Sequence, residues 1–145
     1  MWYEKSYRRH LADMHIDDWS EEFLSEFSPE KYVENLKTAK ITNAMIYLQS
    51  HVGLCYFPTK VGVMHKAFTG REDMIKRLVN LCHENGIAVS GYYSLIYNTR
   101  EHDRHTDWRM LTASGKSRRE NADEAADYQK LDFASARSCR YGLCC

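Results

Sequence analysis

The stretch Tyr47-Leu-Gln-Ser-His51-Val-Gly53-Leu-Cys55-Tyr56-Phe57-Pro58-Thr59 decides how the chain is read. It begins inside an apolar run, residues 44–48, and turns abruptly polar at Gln49, Ser50 and His51. Gly53, two adjacent rings and Pro58 follow. A strand that is apolar almost throughout is what a parallel sheet covered on both faces requires. In α/β folds the ligand sits at the carboxyl ends of the strands, where the loops converge. The segment predicts a buried strand over 44–49 that delivers polar groups into a ring-rich loop, one wall of a binding site.

Working outward, the residues before it read as a helix. Ser28 is an N-cap, Pro29 occupies the first helical position, and Glu30 complements the helix dipole. Tyr32, Val33, Leu36 and Ala39 share one face, and the helix is expected to stop near 41–43. Downstream, the long loop 50–70 leads to Thr69-Gly-Arg-Glu72, which fits a capping box. Met74, Ile75, Leu78, Val79 and Cys82 then mark an apolar face, and Asn85-Gly86 ends it with glycine in the C′ position. A third strand is expected over 87–93. A first, weaker strand falls within 8–16. Residues 99–106 read as a polar loop, 107–109 as the start of a short helix or strand, 112–130 as an exposed excursion, and 131–133 as a short strand.

The order strand, helix, strand, helix, strand with crossovers of about 30 residues gives a parallel βαβαβ arrangement. No glycine-rich phosphate motif follows any strand, so a nucleotide fold has no motif behind it. Polar and aromatic residues instead collect after each strand: His15, then His51, then Tyr93 and Asn98. That is the logic of a (β/α)8 (TIM) barrel.

Composition narrows the function classes. Lys+Arg and Asp+Glu number 20 each, so no net field steers the chain to nucleic acid or an anionic membrane. No apolar run reaches the roughly 18 residues of a membrane span, and the first residues lack a signal-peptide core. The five cysteines (Cys55, Cys82, Cys139, Cys144 and Cys145) fit no zinc spacing and are expected as free thiols in the cytoplasm. Asp13, His15 and Asp17 alternate and, with His51, pose a metal-dependent hydrolase as an alternative.

Four segments resemble α-L-fucosidases and their glycosyl-hydrolase-like relatives. Residues 47–59 resemble the strand-two motif, which in fucosidases reads roughly lysine, two histidines, aspartate, glycine, aromatic, then tryptophan-proline-serine. Gly91-Tyr-Tyr-Ser94 resembles the strand-three motif. His105-Thr-Asp-Trp108 resembles the histidine-proline-aspartate/glutamate-tryptophan segment beyond it, and His15 falls where the family's strand-one histidine lies. The likeness runs over residues 8–110. Ser50 stands in place of the first histidine of the pair, Val52 in place of the aspartate, and Phe57 in place of the tryptophan. Those positions help hold the fucose ring in the family, so fucose specificity is not implied. The pattern fits better the relatives that often carry a β-galactosidase trimerisation-type domain.

The resemblance implies a carbohydrate-active glycoside hydrolase, α-L-fucosidase-like or β-galactosidase-like, with an oligosaccharide or glycoside partner and no cofactor. Homo-oligomerisation of the parent protein is left open. A full barrel needs about 250 residues. The 145 residues are therefore expected to be the N-terminal portion of one, with nucleophile and acid/base beyond Cys145 and no catalytic carboxylate of their own. The expected substrate-binding residues are His15, His51, Tyr56, Phe57, Tyr93 and Trp108. A non-catalytic carbohydrate-binding fragment is the other reading.

Overall fold

The computed structural model describes residues 2–95, 97–109, 111 and 115. The expected excursion over 112–130, the strand over 131–133, and Cys139, Cys144 and Cys145 lie outside the described residues, apart from Gly115. The protein is α/β. Strands β1 (Arg9–Leu11), β2 (Asn43–Tyr47) and β3 (Ala88–Tyr92) form a parallel sheet in the order β1-β2-β3. Helices α1 (Pro29–Thr38) and α2 (Met74–Glu84) connect them, and a short α3 (Thr99–Arg104) follows β3.

Both connecting helices end by the same device. In α1 the Ile41 amide donates to the Leu36 carbonyl at 2.9 Å and the Lys40 amide to that of Lys37 at 2.9 Å. In α2 the Ile87 amide donates to Cys82 at 2.9 Å and the Gly86 amide to His83 at 3.0 Å. This Schellman pattern needs a left-handed residue at C′. Gly86 (φ 69°) supplies it freely; Lys40 (φ 54°) supplies it against its side chain. The turn at Lys40 stops α1 at Thr38, earlier than the spacing predicts.

The capping box expected at Thr69–Glu72 does not form. Thr69 closes a 3-10 turn at Lys66–Phe68, Gly70 turns left-handed, and Glu72 accepts from the Gly70 amide at 2.9 Å. Helix α2 starts later, with no side-chain cap at Asp73. Arg71 uses the interval to tie down the segment before α1, donating to the Leu24 carbonyl at 2.7 Å and that of Phe27 at 3.2 Å.

Strand alternation divides the sheet's two faces. His10, Ala44, Ile46 and Val89 face the helices; His10 meets Tyr32 of α1 at 3.0 Å. Ala44 and Ile46 join Val33, Leu36, Ile75, Leu78, Cys82 and Ile87 in the core. Each fully buried aliphatic chain contributes about 1.5–3 kcal/mol. Asn43, Met45, Tyr47, Ser90 and Tyr92 share the opposite face. The loop after β2 is folded back on itself. Cys55 bridges Gln49 and Met64, and Tyr56, His65 and Phe68 are buried within it. Cys55 and Cys82 are both buried.

Candidate functional site

Past β1 the chain makes a tight turn with His15 at its apex. The Ile16 amide donates to the Met14 carbonyl at 3.0 Å, while Met14 and Ile16 bury their side chains on either side. The Tyr56 hydroxyl closes this turn, donating to the Met14 carbonyl and accepting from the Ile16 amide at 3.4 Å. Burial pushes the Tyr56 phenol up to about 12.

His15 is fully engaged. Its Nδ1 lies 2.6 Å from Asp13 Oδ1 and its Nε2 lies 3.1 Å from the Tyr92 hydroxyl. With Asp13 accepting at Nδ1, the proton sits there and Nε2 accepts from Tyr92. Burial pulls the Asp13 carboxyl upward, but the amide and ring of His15 outweigh it and hold its pKa below the ordinary aspartate value. Tyr47 stacks on Tyr92 with ring centroids 4.1 Å apart, and its hydroxyl lies 3.2 Å from His15 Nδ1. Burial, then the Asp13 charge, pushes the Tyr47 phenol well above the ordinary tyrosine range. The two rings meet because Tyr47 and Tyr92 are register partners on one face.

His51 sits beside His15, ring centroids 5.5 Å apart. It rides a turn closed by the Gly53 amide on the Ser50 carbonyl at 3.0 Å, with Gly53 at φ 85°. The start of α3 holds this turn: the Thr99 and Arg100 amides donate to the His51 and Val52 carbonyls at 3.1 and 3.2 Å. Gly53→Ala would place a Cβ 2.1 Å from Asn98 Oδ1, the atom that caps α3 by accepting from the Glu101 amide at 3.0 Å. With the left-handed φ as well, we expect Gly53→Ala to cost about 1–3 kcal/mol in denaturant unfolding. An unchanged midpoint would show that the turn does not need glycine.

Asp17 Oδ1 lies 3.3 Å from His51 Nε2, so the His51 proton belongs on Nε2. Nδ1 then presents a lone pair, and no hydrogen-bond partner for it is found among the described residues. Burial lowers the His51 pKa, partly offset by Asp17, so the ring is neutral at neutral pH.

The sequence-derived candidates divide accordingly. His15 and His51 come together. Tyr56 does not face an open site: it is 0% exposed and its ring stacks on Phe68 at 4.8 Å, so it supports the His15 turn from the core. Phe57 packs against the core, partly buried. Tyr92, rather than Tyr93, stands with Tyr47 and His15; Tyr93 is the half-buried residue after it. Trp108 stacks on His105 at 3.8 Å in a 3-10 turn, Thr106–Trp108. Residues 99–104, read as a loop, form α3. Asp13, Asp17, Tyr47 and Tyr92 complete the cluster.

Among the described residues no group of three or more His, Cys, Asp and Glu side chains is placed to hold a metal ion. Asp13 and Asp17 serve instead to orient one imidazole each. A cleft of about 340 Å³ between the first turns of α1 and α2, lined by Phe27, Pro29, Arg71, Met74 and Arg77, contains none of the cluster. Among the described residues no helix is long and apolar enough to cross a membrane.

The family described as Hypothetical glycosyl hydrolase 6 matches residues 28–140. Among solved structures the chain is similar to α-L-fucosidase isoenzyme 2 from Paenibacillus thiaminolyticus: TM-score 0.70, 19% identity, covering 88% of this chain and 19% of that one. It is also similar to a hypothetical protein from Ruminiclostridium thermocellum ATCC 27405: TM-score 0.56, 13% identity, covering 79% of this chain and 58% of the other. At these identities the likeness is one of fold, and the chain spans only part of either protein. No curated protein matches the sequence.

Proposed function

The chain belongs to the Hypothetical glycosyl hydrolase 6 family, and from that premise we propose that it forms the first three strands of a (β/α)8 glycoside hydrolase barrel and supplies substrate-binding walls. Family membership supports a glycoside hydrolase-like role and a glycoside substrate. The observation that carries the site assignment is the convergence of Tyr47 and Tyr92, the last residues of β2 and β3, with His15 and His51, which follow β1 and β2, at the carboxyl ends of the parallel strands.

Within that reading the two histidines have different tasks. His15 spends both ring nitrogens on Asp13 and Tyr92 and positions them. His51 turns its Nδ1 lone pair to a sugar hydroxyl. Asp13 and Asp17 each orient a histidine, and on this reading the nucleophile and the acid/base are other carboxylates. Those carboxylates come from another part of the protein.

Thermal unfolding with methyl α-L-fucopyranoside and with methyl β-D-galactopyranoside tests the reading. One sugar should raise the melting temperature. At ten times its Kd the stabilisation is ~1.4 kcal/mol. A melt unmoved by either glycoside at millimolar concentration would count against a carbohydrate site.

A further inference from the structure

Trp19 is 72% exposed. A large ring left this open is more often mobile than fixed, yet this one is held at two points. Its Nε1–H donates to Asp17 Oδ2 at 3.2 Å, and Phe23 packs edge-on against it with centroids 4.7 Å apart. Both supports are themselves anchored to His65, which is 0% exposed. His65 Nδ1 accepts from the Ala67 amide at 3.0 Å, so its proton lies on Nε2 and is donated to the Asp17 carbonyl at 2.6 Å. Phe23 also packs on the His65 ring at 6.4 Å.

Asp17 thereby becomes a hub. Its carbonyl is tied to the core, one carboxylate oxygen holds Trp19, and the other lies 3.3 Å from His51. The exposed indole and the histidine with the open nitrogen are separated by a single carboxylate, and both are oriented by it. A ring fixed before its ligand arrives loses little entropy on contact.

We propose that Trp19 is a stacking platform for a pyranose, taking the sugar's apolar C–H face while a hydroxyl of the same sugar donates to His51 Nδ1. The inference rests on the carbohydrate reading above and adds the residue that sets the sugar's orientation. Sugars whose ring carries C–H groups together on one face suit the platform. Sugars with an axial hydroxyl on that face do not.

The test follows the Trp19 indole N–H and the His51 ring by NMR during titration with the two methyl glycosides, alongside calorimetric Kd values for Trp19→Ala and Trp19→Phe. In the parent protein both signals should move at the same sugar concentration. Trp19→Ala should raise Kd about tenfold, the upper end for an aromatic contact. Trp19→Phe, which keeps a ring, should raise it less than about threefold. If the His51 signals move while the indole stays still and Trp19→Ala binds within twofold of the parent, the platform is wrong and the carbohydrate site survives. If neither signal moves with either glycoside, both ideas fail together. Should Trp19→Ala fold poorly, the indole signal and Trp19→Phe decide the matter.

Discussion

His51→Ala is expected to weaken glycoside binding by roughly tenfold to a hundredfold, with little change in the melt of the free protein. The magnitude is the ~1–3 kcal/mol that follows when a polar partner in a half-buried site is left unmatched. The small effect on folding follows from its placement. The ring is 16% exposed and its charged partner Asp17 stays solvated and still holds Trp19. His51→Asn, which keeps an acceptor near the position of Nδ1, should recover part of the affinity. Acid should act like the alanine change. The lone pair exists only on the neutral ring, and burial sets the His51 pKa below the ordinary 6.5. Binding should hold as pH falls through 6.5 and weaken only at lower pH, where Nδ1 gains a proton and becomes a donor. For stability the sign is the same. A histidine with a depressed folded pKa leaves stability intact above its unfolded value and erodes it as pH falls below that value. Calorimetry across pH reads the binding effect; equal affinity in parent and His51→Ala would remove His51 from the site.

Tyr56→Ala is expected to destabilise the protein by about 3–5 kcal/mol, the range for deleting a buried ring. The ring is 0% exposed, stacks on Phe68 and faces His65. Tyr56→Phe separates the hydroxyl from the ring. It leaves the Met14 carbonyl and the Ile16 amide without their side-chain partner, at about 1–3 kcal/mol. It also frees the turn that holds His15 against Tyr92. Tyr56→Phe should therefore weaken sugar binding as well as stability, whereas an at least as destabilising change in the helical layer, such as Leu78→Ala, should leave the affinity of the folded protein unchanged. Denaturant unfolding and binding measured on the same three variants check this. A Tyr56→Phe protein as stable as the parent would mean the hydroxyl holds nothing.

Tyr56 also shows where sequence reading stopped. Its ring lies in a Gly- and Pro-punctuated loop, which suggested a pocket wall. The loop instead bridges back on itself at Cys55 and buries the ring. The two helices and β2 were legible because their signals are local: a Ser-Pro start, a 3.6-residue apolar stripe, a Gly end, an unbroken apolar run. The short β1 pairs over three residues, too few for a pattern. Helix α3 lacks an apolar face, although Asn98 followed three residues later by Glu101 did carry a capping signal. The choice between Tyr92 and Tyr93 turned on strand parity, which a one-residue boundary shift reverses. The His15–Tyr92 contact spans 77 positions and depends on sheet register, which no local pattern encodes. What was readable is that His15 and His51 both follow strands. What was not readable is that the aspartates beside them are their partners.

In the proposed site His51 is neutral, and its Nδ1, without a hydrogen-bond partner among the described residues, faces a sugar at the strand ends. A long-range proton–nitrogen NMR spectrum of the histidine rings at neutral pH, recorded with and without methyl α-L-fucopyranoside and methyl β-D-galactopyranoside, tests it most directly. We predict His51 as the Nε2–H form, with its Nδ1 signal moving as one of the sugars is added and the His15 signals moving far less. A His51 ring already protonated at neutral pH, or an Nδ1 signal that neither sugar shifts at saturating concentration, would contradict it.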